Sequence, residues 1–467
     1  MPDIATLWSR NPAQSGGNAH YLSRQDAVES NARTYARRLR IAITRASGVF
    51  VEDADGRTYY DCLAGAGALT LGHNHPFVIA ALRRAIDEGI PFQTLDLTTP
   101  IKDAFTEALF STFPAGFRKR ARIQFCSPAG TDAIEAAVKL VMTAKGGRSM
   151  LVFRGGYHGM TQGALGLSGN LSPKTDVSGP MQSAQFLPYP YSYRCPFNVG
   201  GAATAKLCAA QTRSLLADPE SGVLVAGLLT EIVQGEGGVI PAPEEWVREI
   251  RVITKEYGVP LIFDEVQTGW GRTGRLYAFE HSGAEPDILV LSKAIGGGLP
   301  LAVVVYDEAF DGWRQGAHAG TFRGNQLAMA TGLAALRVIE EEGLASHAAA
   351  MGERMMGHLR AIQTELPLLG DVRGRGLMIG AEIVDPEGVC DPLGHPPADG
   401  PVSRAIQQEC LNRGLILELG GRHGAVVRFL APLIITGEQI DSVCGIFRDA
   451  CLAVQGQRVR RPVAIAN

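Results

Sequence analysis

Val259-Pro-Leu-Ile-Phe-Asp-Glu-Val-Gln-Thr-Gly269 and Asp287-Ile-Leu-Val-Leu-Ser-Lys-Ala-Ile-Gly-Gly-Gly298 each lead an apolar run into a charged residue and then into glycine. Short apolar runs bounded by turn residues read as strands buried on both faces, and one crossover between them sets them into a parallel sheet. In open α/β sheets ligands bind outside the carboxyl ends of the strands, so Asp264 and Lys293 are expected to face one crevice. Desolvation there lowers a lysine toward a nucleophilic amine. Taken singly, each residue has an ordinary alternative: lysine is usually on the surface, and a strand-end aspartate is as often a cap.

Outward from these two runs the same pattern repeats. Strands are expected at 122–126, 150–153, 222–230, 259–263, 288–291 and 301–306, with amphipathic stretches between them, as in a mostly parallel sheet covered by helices on both faces. The stretch 244–257 is one such helix, with Trp246, Ile250, Ile253 and Tyr257 on one face and Gly258 as terminator. After Asn325 two helices are expected, the second with an apolar stripe of Met351, Met355, Leu359, Ile362 and Leu366 that reads as core. Glycine-punctuated runs at 370–384 and 415–419, a helix at 403–413, a strand at 426–435 and a last helix follow, the last opened by the capping box Thr436-Gly-Glu-Gln439. Near the amino end, runs at 48–53 and 58–62 joined by Asp55-Gly56 read as a hairpin. The expected fold class is therefore α/β. A large domain spans 76–335, a smaller α+β domain spans 336–467, and 1–75 contributes to the smaller one.

Of the 467 residues, 46% are hydrophobic and 19% charged, ample for a large core and unlike a disordered chain. A formal net charge of -3 leaves no basic field for nucleic acid, and the local cluster Arg458-Val-Arg-Arg461 reads as a solvated tail. The eight cysteines lack zinc or redox spacing and read as reduced core thiols. The stretch Met1 to Gln14 has no secretory pattern and no apolar run is long enough for a membrane span, so a cytoplasmic protein without membrane contact is expected.

Several further stretches offer parts of a site. In Arg122-Ile-Gln-Phe-Cys-Ser-Pro-Ala-Gly-Thr-Asp-Ala-Ile-Glu135 a strand turns into an alanine-rich helix, so free N–H groups at Gly130, Thr131 and Asp132 can hold an anion; a plain helix cap is the equal alternative. Gly155-Gly-Tyr-His-Gly159 places an aromatic ring shortly after a strand. Gly65-Ala-Gly-Ala-Leu-Thr70 lacks the third glycine of a dinucleotide fingerprint, which argues against a nicotinamide dehydrogenase.

Together, Asp264-Glu-Val-Gln-Thr-Gly-Trp-Gly-Arg-Thr-Gly274 and Ser292-Lys-Ala-Ile-Gly-Gly-Gly-Leu-Pro300 resemble the two strongest motifs of the class III (ω-amino acid) branch of pyridoxal phosphate aminotransferases, and the likeness runs from about residue 30 to 450. The resemblance implies fold type I of pyridoxal phosphate-dependent transferases, pyridoxal 5'-phosphate as cofactor, and no metal. It implies Lys293 as the Schiff-base residue, Asp264 on the pyridine nitrogen and Gln267 as donor to the ring hydroxyl. Gly130 and Thr131 match the phosphate loop, Tyr157 the stacking ring with His158 beside it, and Glu231 a position close to the ring. Glu236, in Glu231-Ile-Val-Gln-Gly-Glu236, is implied to mask Arg428, which would clamp the carboxylate of a keto acid; a surface ion pair is the alternative for such an arginine. Thr321 matches a threonine that reaches the phosphate of a neighbouring subunit, implying a homodimer with shared sites, larger assemblies being left open.

The finer likeness, at Leu63-Ala-Gly-Ala-Gly67, Thr94-Leu-Asp-Leu-Thr-Thr-Pro100, Gly320-Thr-Phe-Arg-Gly-Asn-Gln-Leu-Ala-Met329 and Leu417-Glu-Leu-Gly-Gly-Arg-His-Gly424, is to the branch acting on L-2,4-diaminobutyrate and 2-oxoglutarate. Met160 stands where several relatives carry an arginine, and Arg323 where many carry glycine; Arg323 is expected either to supply the missing charge or to brace the dimer. Rival expectations on the same motifs are an ornithine, lysine or 4-aminobutyrate aminotransferase or an aminomutase, and, from another class, a non-catalytic cofactor-binding regulator.

Overall fold

A computed structural model describes residues 16–460 except 176, 178 and 180. The stretch Met1 to Gln14 and the side chains of the basic tail at 458–461 lie outside what is described. From the amino end, β1 (Ile43–Ser47), β2 (Phe50–Asp53) and β3 (Thr58–Asp61) form an antiparallel meander, with Gly56 at φ +80 in the tight turn. Next in chain order are β4 (Ala121–Phe125), β5 (Ser149–Phe153), β6 (Ala184–Leu187), β7 (Val225–Thr230), the short hairpin β8 (Val233–Gln234) and β9 (Ile240–Pro241), then β10 (Leu261–Asp264), β11 (Ile288–Leu291) and β12 (Val303–Asp307).

Seven of these make the central sheet in the order β4-β12-β11-β10-β7-β5-β6, parallel throughout except for β12, which pairs antiparallel with both neighbours. The inner strands β10 and β11 are fully buried, as an apolar run covered on both faces must be. Helices on opposite sides of the sheet join separate apolar clusters. Gly130–Lys145 packs Ile134, Leu140 and Val141 with Ile262 and Val290, while Glu244–Glu256 packs Trp246, Ile250 and Ile253 with Leu261 and Phe263.

The second sheet, β13 (Leu369–Arg375), β14 (Met378–Ile383), β16 (Glu418–Gly420) and β17 (Val426–Phe429), is antiparallel in the order β13-β14-β17-β16. The intervening β15 (Leu415–Ile416) pairs in parallel with β3, so the amino-terminal meander is hydrogen-bonded to the carboxyl-terminal part of the chain. The helix Leu344–Glu365 buries Met355, Leu359 and Ile362, while Met351 at the head of the expected stripe is only partly buried.

Several expectations shift. The strand expected at 222–230 starts at Val225, because Gly222 sits at φ +74 in a turn. The strand expected at 426–435 ends at Phe429; beyond it the Leu430 and Leu433 N–H groups donate to Cys62 and Thr70, and Pro432 has no N–H to continue a ladder. The edge strand β6 carries the half-polar run Ala-Gln-Phe-Leu and had no apolar signal of its own. Cys390 is exposed, unlike the other seven free thiols, so it is no core residue.

Candidate active site

β5, β7, β10 and β11 run parallel, so their carboxyl ends share one edge, and the chain leaves that edge at Tyr157, Glu231, Asp264 and Lys293. With Gly130, Thr131, His158, Met160, Glu236 and Gln267 these four line one cavity of about 260 Å³. Lys293 follows an extended Ser292 and takes φ +51, a left-handed conformation that a non-glycine residue holds only when its surroundings impose it. The next turn needs glycine: a Cβ on Gly297, at φ +59, would lie 2.4 Å from the Thr331 carbonyl oxygen. Lys293 is partly buried, and loss of solvent lowers its amine below the usual lysine range, with Glu236 opposing the shift.

Asp264 ends β10 with 5% of its surface exposed. A buried carboxylate needs partners, and it has two: His158 Nδ1 lies 2.8 Å from Oδ2, and the Val266 N–H donates to Oδ1 at 3.0 Å. His158 is itself held by its backbone N–H donating to Ser168 Oγ at 3.0 Å. Glu231 accepts from the Tyr157 N–H at 2.9 Å and the Gly235 N–H at 3.0 Å, and burial pushes its carboxyl up to about 7.

Gly130 and Thr131 open a sixteen-residue helix, where the first N–H groups have no intrahelical acceptor. Asp132 departs from expectation. Its N–H donates to the Ala129 carbonyl at 3.0 Å and its carboxylate accepts from the Ser127 N–H at 2.8 Å, so it shapes the turn and offers no free donor to an anion.

Arg428 is fully buried, donating from Nη1 to Glu236 Oε1 at 2.7 Å and from Nη2 to Gln267 Oε1 at 2.9 Å. Gln267 Nε2 donates to the Ala66 carbonyl at 3.0 Å, so the arginine on one side and the carbonyl on the other fix the orientation of that amide. Burial alone would raise Glu236, but Arg428 outweighs it and holds the carboxyl below the usual range. Burial likewise works against the Arg428 charge, and Glu236 and Glu418 more than offset it.

Two residues at this end carried no expectation. Glu418 lies opposite Arg428 in the β16–β17 register with Oε2 3.2 Å from Nη1, and Tyr35 bonds to Glu418. Glu418 stood in a quoted motif, but only strand register shows that it meets the arginine. Thr321 is not brought to the cavity by its own chain; it is exposed, and its carbonyl accepts from Gln93. Arg323 is buried, donating to Asp132 Oδ2 at 3.3 Å and to the Ala319 carbonyl at 3.0 Å, and Met160 is 53% exposed at the cavity mouth.

A desolvated lysine, a buried carboxylate fixed by histidine and a helix end with unpaired N–H groups form a site for an aldehyde-bearing, phosphorylated ring. Residues 31–451 match the family described as aminotransferase class-III. The chain belongs to the class-III aminotransferases. This class-III aminotransferase is 55% identical over 448 residues to the diaminobutyrate--2-oxoglutarate aminotransferase of Rhizobium meliloti (strain 1021), covering 96% of this chain and 94% of that protein. It is 48% identical over 434 residues to the protein of the same name from Haemophilus influenzae, covering 93% and 95%. Among solved structures, the ornithine aminotransferase from Toxoplasma gondii superposes with a TM-score of 0.82 at 25% identity, covering 98% of this chain and 100% of that one. An amine transaminase from an uncultivated Pseudomonas species, solved with pyridoxal phosphate bound, gives 0.81 at 27% identity, covering 92% and 97%. The fold is that of the fold type I pyridoxal phosphate enzymes, and the cofactor of this aminotransferase is pyridoxal 5'-phosphate. The residues present fit it: the Lys293 amine, the buried Asp264 carboxylate and the first residues of the helix that starts at Gly130 all border the same cavity.

Proposed function

We propose that this aminotransferase moves the 4-amino group of L-2,4-diaminobutyrate to 2-oxoglutarate, giving aspartate 4-semialdehyde and glutamate. When bound, pyridoxal phosphate supplies an aldehyde that condenses with amines and a cationic ring that takes up the electron pair left when the donor loses its C4 proton. Gly130 and Thr131 would hold its phosphate through backbone N–H groups, and Tyr157 would offer its ring a stacking face. Asp264, backed by His158, would keep the proton on the ring nitrogen, with Glu231 and Gln267 beside the ring. Lys293 would hold the cofactor through its aldehyde and would serve as the base that takes the proton from C4 of the donor. Arg428 binds a carboxylate of 2-oxoglutarate through two parallel hydrogen bonds after Glu236 swings aside.

The Glu236–Arg428 pair beside Lys293 carries this reading. A clamp that is covered at rest suits a site that must accept a diamine in one half-reaction and a dicarboxylate in the other. The names and near full-length identity of the two diaminobutyrate relatives support the choice of donor. We further propose large and small domains at 76–335 and 336–467, with 1–75 joining the small one, and a cytoplasmic homodimer in which Thr321 reaches the neighbouring subunit's phosphate. Eight unpaired cysteines favour a reducing compartment, and no helix among the described residues is long and apolar enough to cross a membrane. The direct test is a donor panel with 2-oxoglutarate, scored by glutamate formation. Diaminobutyrate is expected to give the highest kcat/KM; a higher value for ornithine, lysine or 4-aminobutyrate would reject the assignment.

A further inference from the structure

The strand pairing that buries Arg428 also buries a second carboxylate. Glu418 is 6% exposed and lies 3.2 Å from the same Nη1 to which Glu236 is bonded at 2.7 Å. One guanidinium therefore faces two acids, and with both ionised the cluster holds one negative charge more than Arg428 neutralises. The other acids near the cavity are occupied: Asp264 by His158 and the Val266 N–H, Glu231 by the N–H groups of Tyr157 and Gly235, and Glu236 by Arg428. Glu418 differs. Its Oε2, 3.2 Å from Arg428 Nη1, is buried without a hydrogen bond of its own, although Tyr35 bonds to the same carboxyl; burial raises that carboxyl above the usual carboxylate range, and an arriving cation would favour its ionised form. Its charge acts on Lys293 and Tyr157 of the cavity wall, and the half-exposed Tyr35 bonds to it.

Resting on the reading of the donor as diaminobutyrate, we propose that Glu418 receives the donor's non-reacting α-ammonium and thereby sets the preference of the site for a diamino acid over an ω-amino acid that lacks this group. With the 4-amine at Lys293, the α-ammonium lies further along the substrate chain and must find an anion or keep its water. Arg428 can satisfy one of its two carboxylates and leave the other for this cation. Glutamate and 2-oxoglutarate bring no second ammonium; they bring a second carboxylate, for which Arg428 must be uncovered. Arg38, exposed and close enough to Glu236 to favour its ionised form, adds a cation on the same side, as a zwitterionic head requires.

The test compares wild type with Glu418→Gln using diaminobutyrate, 4-aminobutyrate and glutamate as donors, and measures by calorimetry the affinity of the Lys293→Ala protein for diaminobutyrate with and without Glu418→Gln. Loss of one charge-assisted hydrogen bond corresponds to about a tenfold to hundredfold fall in kcat/KM and in affinity for diaminobutyrate. The values for glutamate and 4-aminobutyrate are expected to fall far less, or to rise because Arg428 loses a competitor. Equal falls for all three donors, or unchanged diaminobutyrate affinity, would overturn the proposal. Should Glu418→Gln yield no folded protein, Glu418→Asp keeps the charge but retracts it; it is expected to raise the KM for diaminobutyrate and not that for glutamate, and equal rises contradict the proposal. A wild-type protein that ignores diaminobutyrate would refute the proposed function itself. One that uses it with a donor preference indifferent to Glu418 would refute only this inference.

Discussion

At the scale of single residues the site works through carboxylates whose charge is set by their surroundings. Glu231 has a carboxyl near 7 in the folded protein against 4.5 for an ordinary glutamate, because burial penalises the anion. The sign of its effect on stability follows. Between those values the folded protein holds a proton that the unfolded chain has lost, so this group's contribution rises as pH falls through about 7 and levels off near 4.5. Glu231→Gln should therefore flatten the pH dependence of Tm across that window, and an unchanged Tm profile would show that Glu231 is ionised throughout. Arg428→Ala should raise the KM for 2-oxoglutarate more than that for the diamine; equal effects on both would count against a masked clamp. Asp264 and Lys293 were readable in the sequence because each ends an apolar run. Glu418 was not, since its meeting with Arg428 depends on a cross-strand register that no local pattern encodes.

At the scale of elements, strand ends and glycines decide where the charged groups can stand. A Cβ on Gly420 would lie 2.6 Å from Arg428 Cδ, and one on Gly235 2.0 Å from Gln267 Oε1. Gly420→Ala should push the arginine off its line and weaken 2-oxoglutarate binding while sparing cofactor uptake, because the residues proposed to meet the phosphate and ring lie on other elements. Equal loss of cofactor and keto acid binding would show that the β16 strand as a whole has moved. Apolar runs covered on both faces, such as β10 and β11, stand out in a sequence. The edge strand β6 does not, and the tail of the run at 426–435 misleads because it is buried as irregular chain against the amino-terminal segment.

At the scale of the molecule, Thr321 lies away from the cavity of its own chain, so its proposed phosphate contact needs a second subunit. Thr321 stands on the surface beside Phe322, which is 66% exposed, and Phe92 at 62% and Leu97 at 66% leave further large apolar side chains uncovered. Exposed apolar groups of this size favour a partner surface. Light scattering should give twice the chain mass, and Thr321→Ala should weaken cofactor retention without changing that mass; a monomer that keeps full activity would refute the shared site. The sequence does not mark which surface would pair, because exposed apolar residues look like core until the chain is folded. Every role proposed for Lys293 depends on covalent attachment of pyridoxal phosphate to its amine. Borohydride reduction of the purified protein followed by peptide mass spectrometry should find one pyridoxyl-phosphate adduct, on the peptide carrying Lys293 and absent from Lys293→Ala; an adduct on another lysine, or none on cofactor-loaded protein, would contradict it.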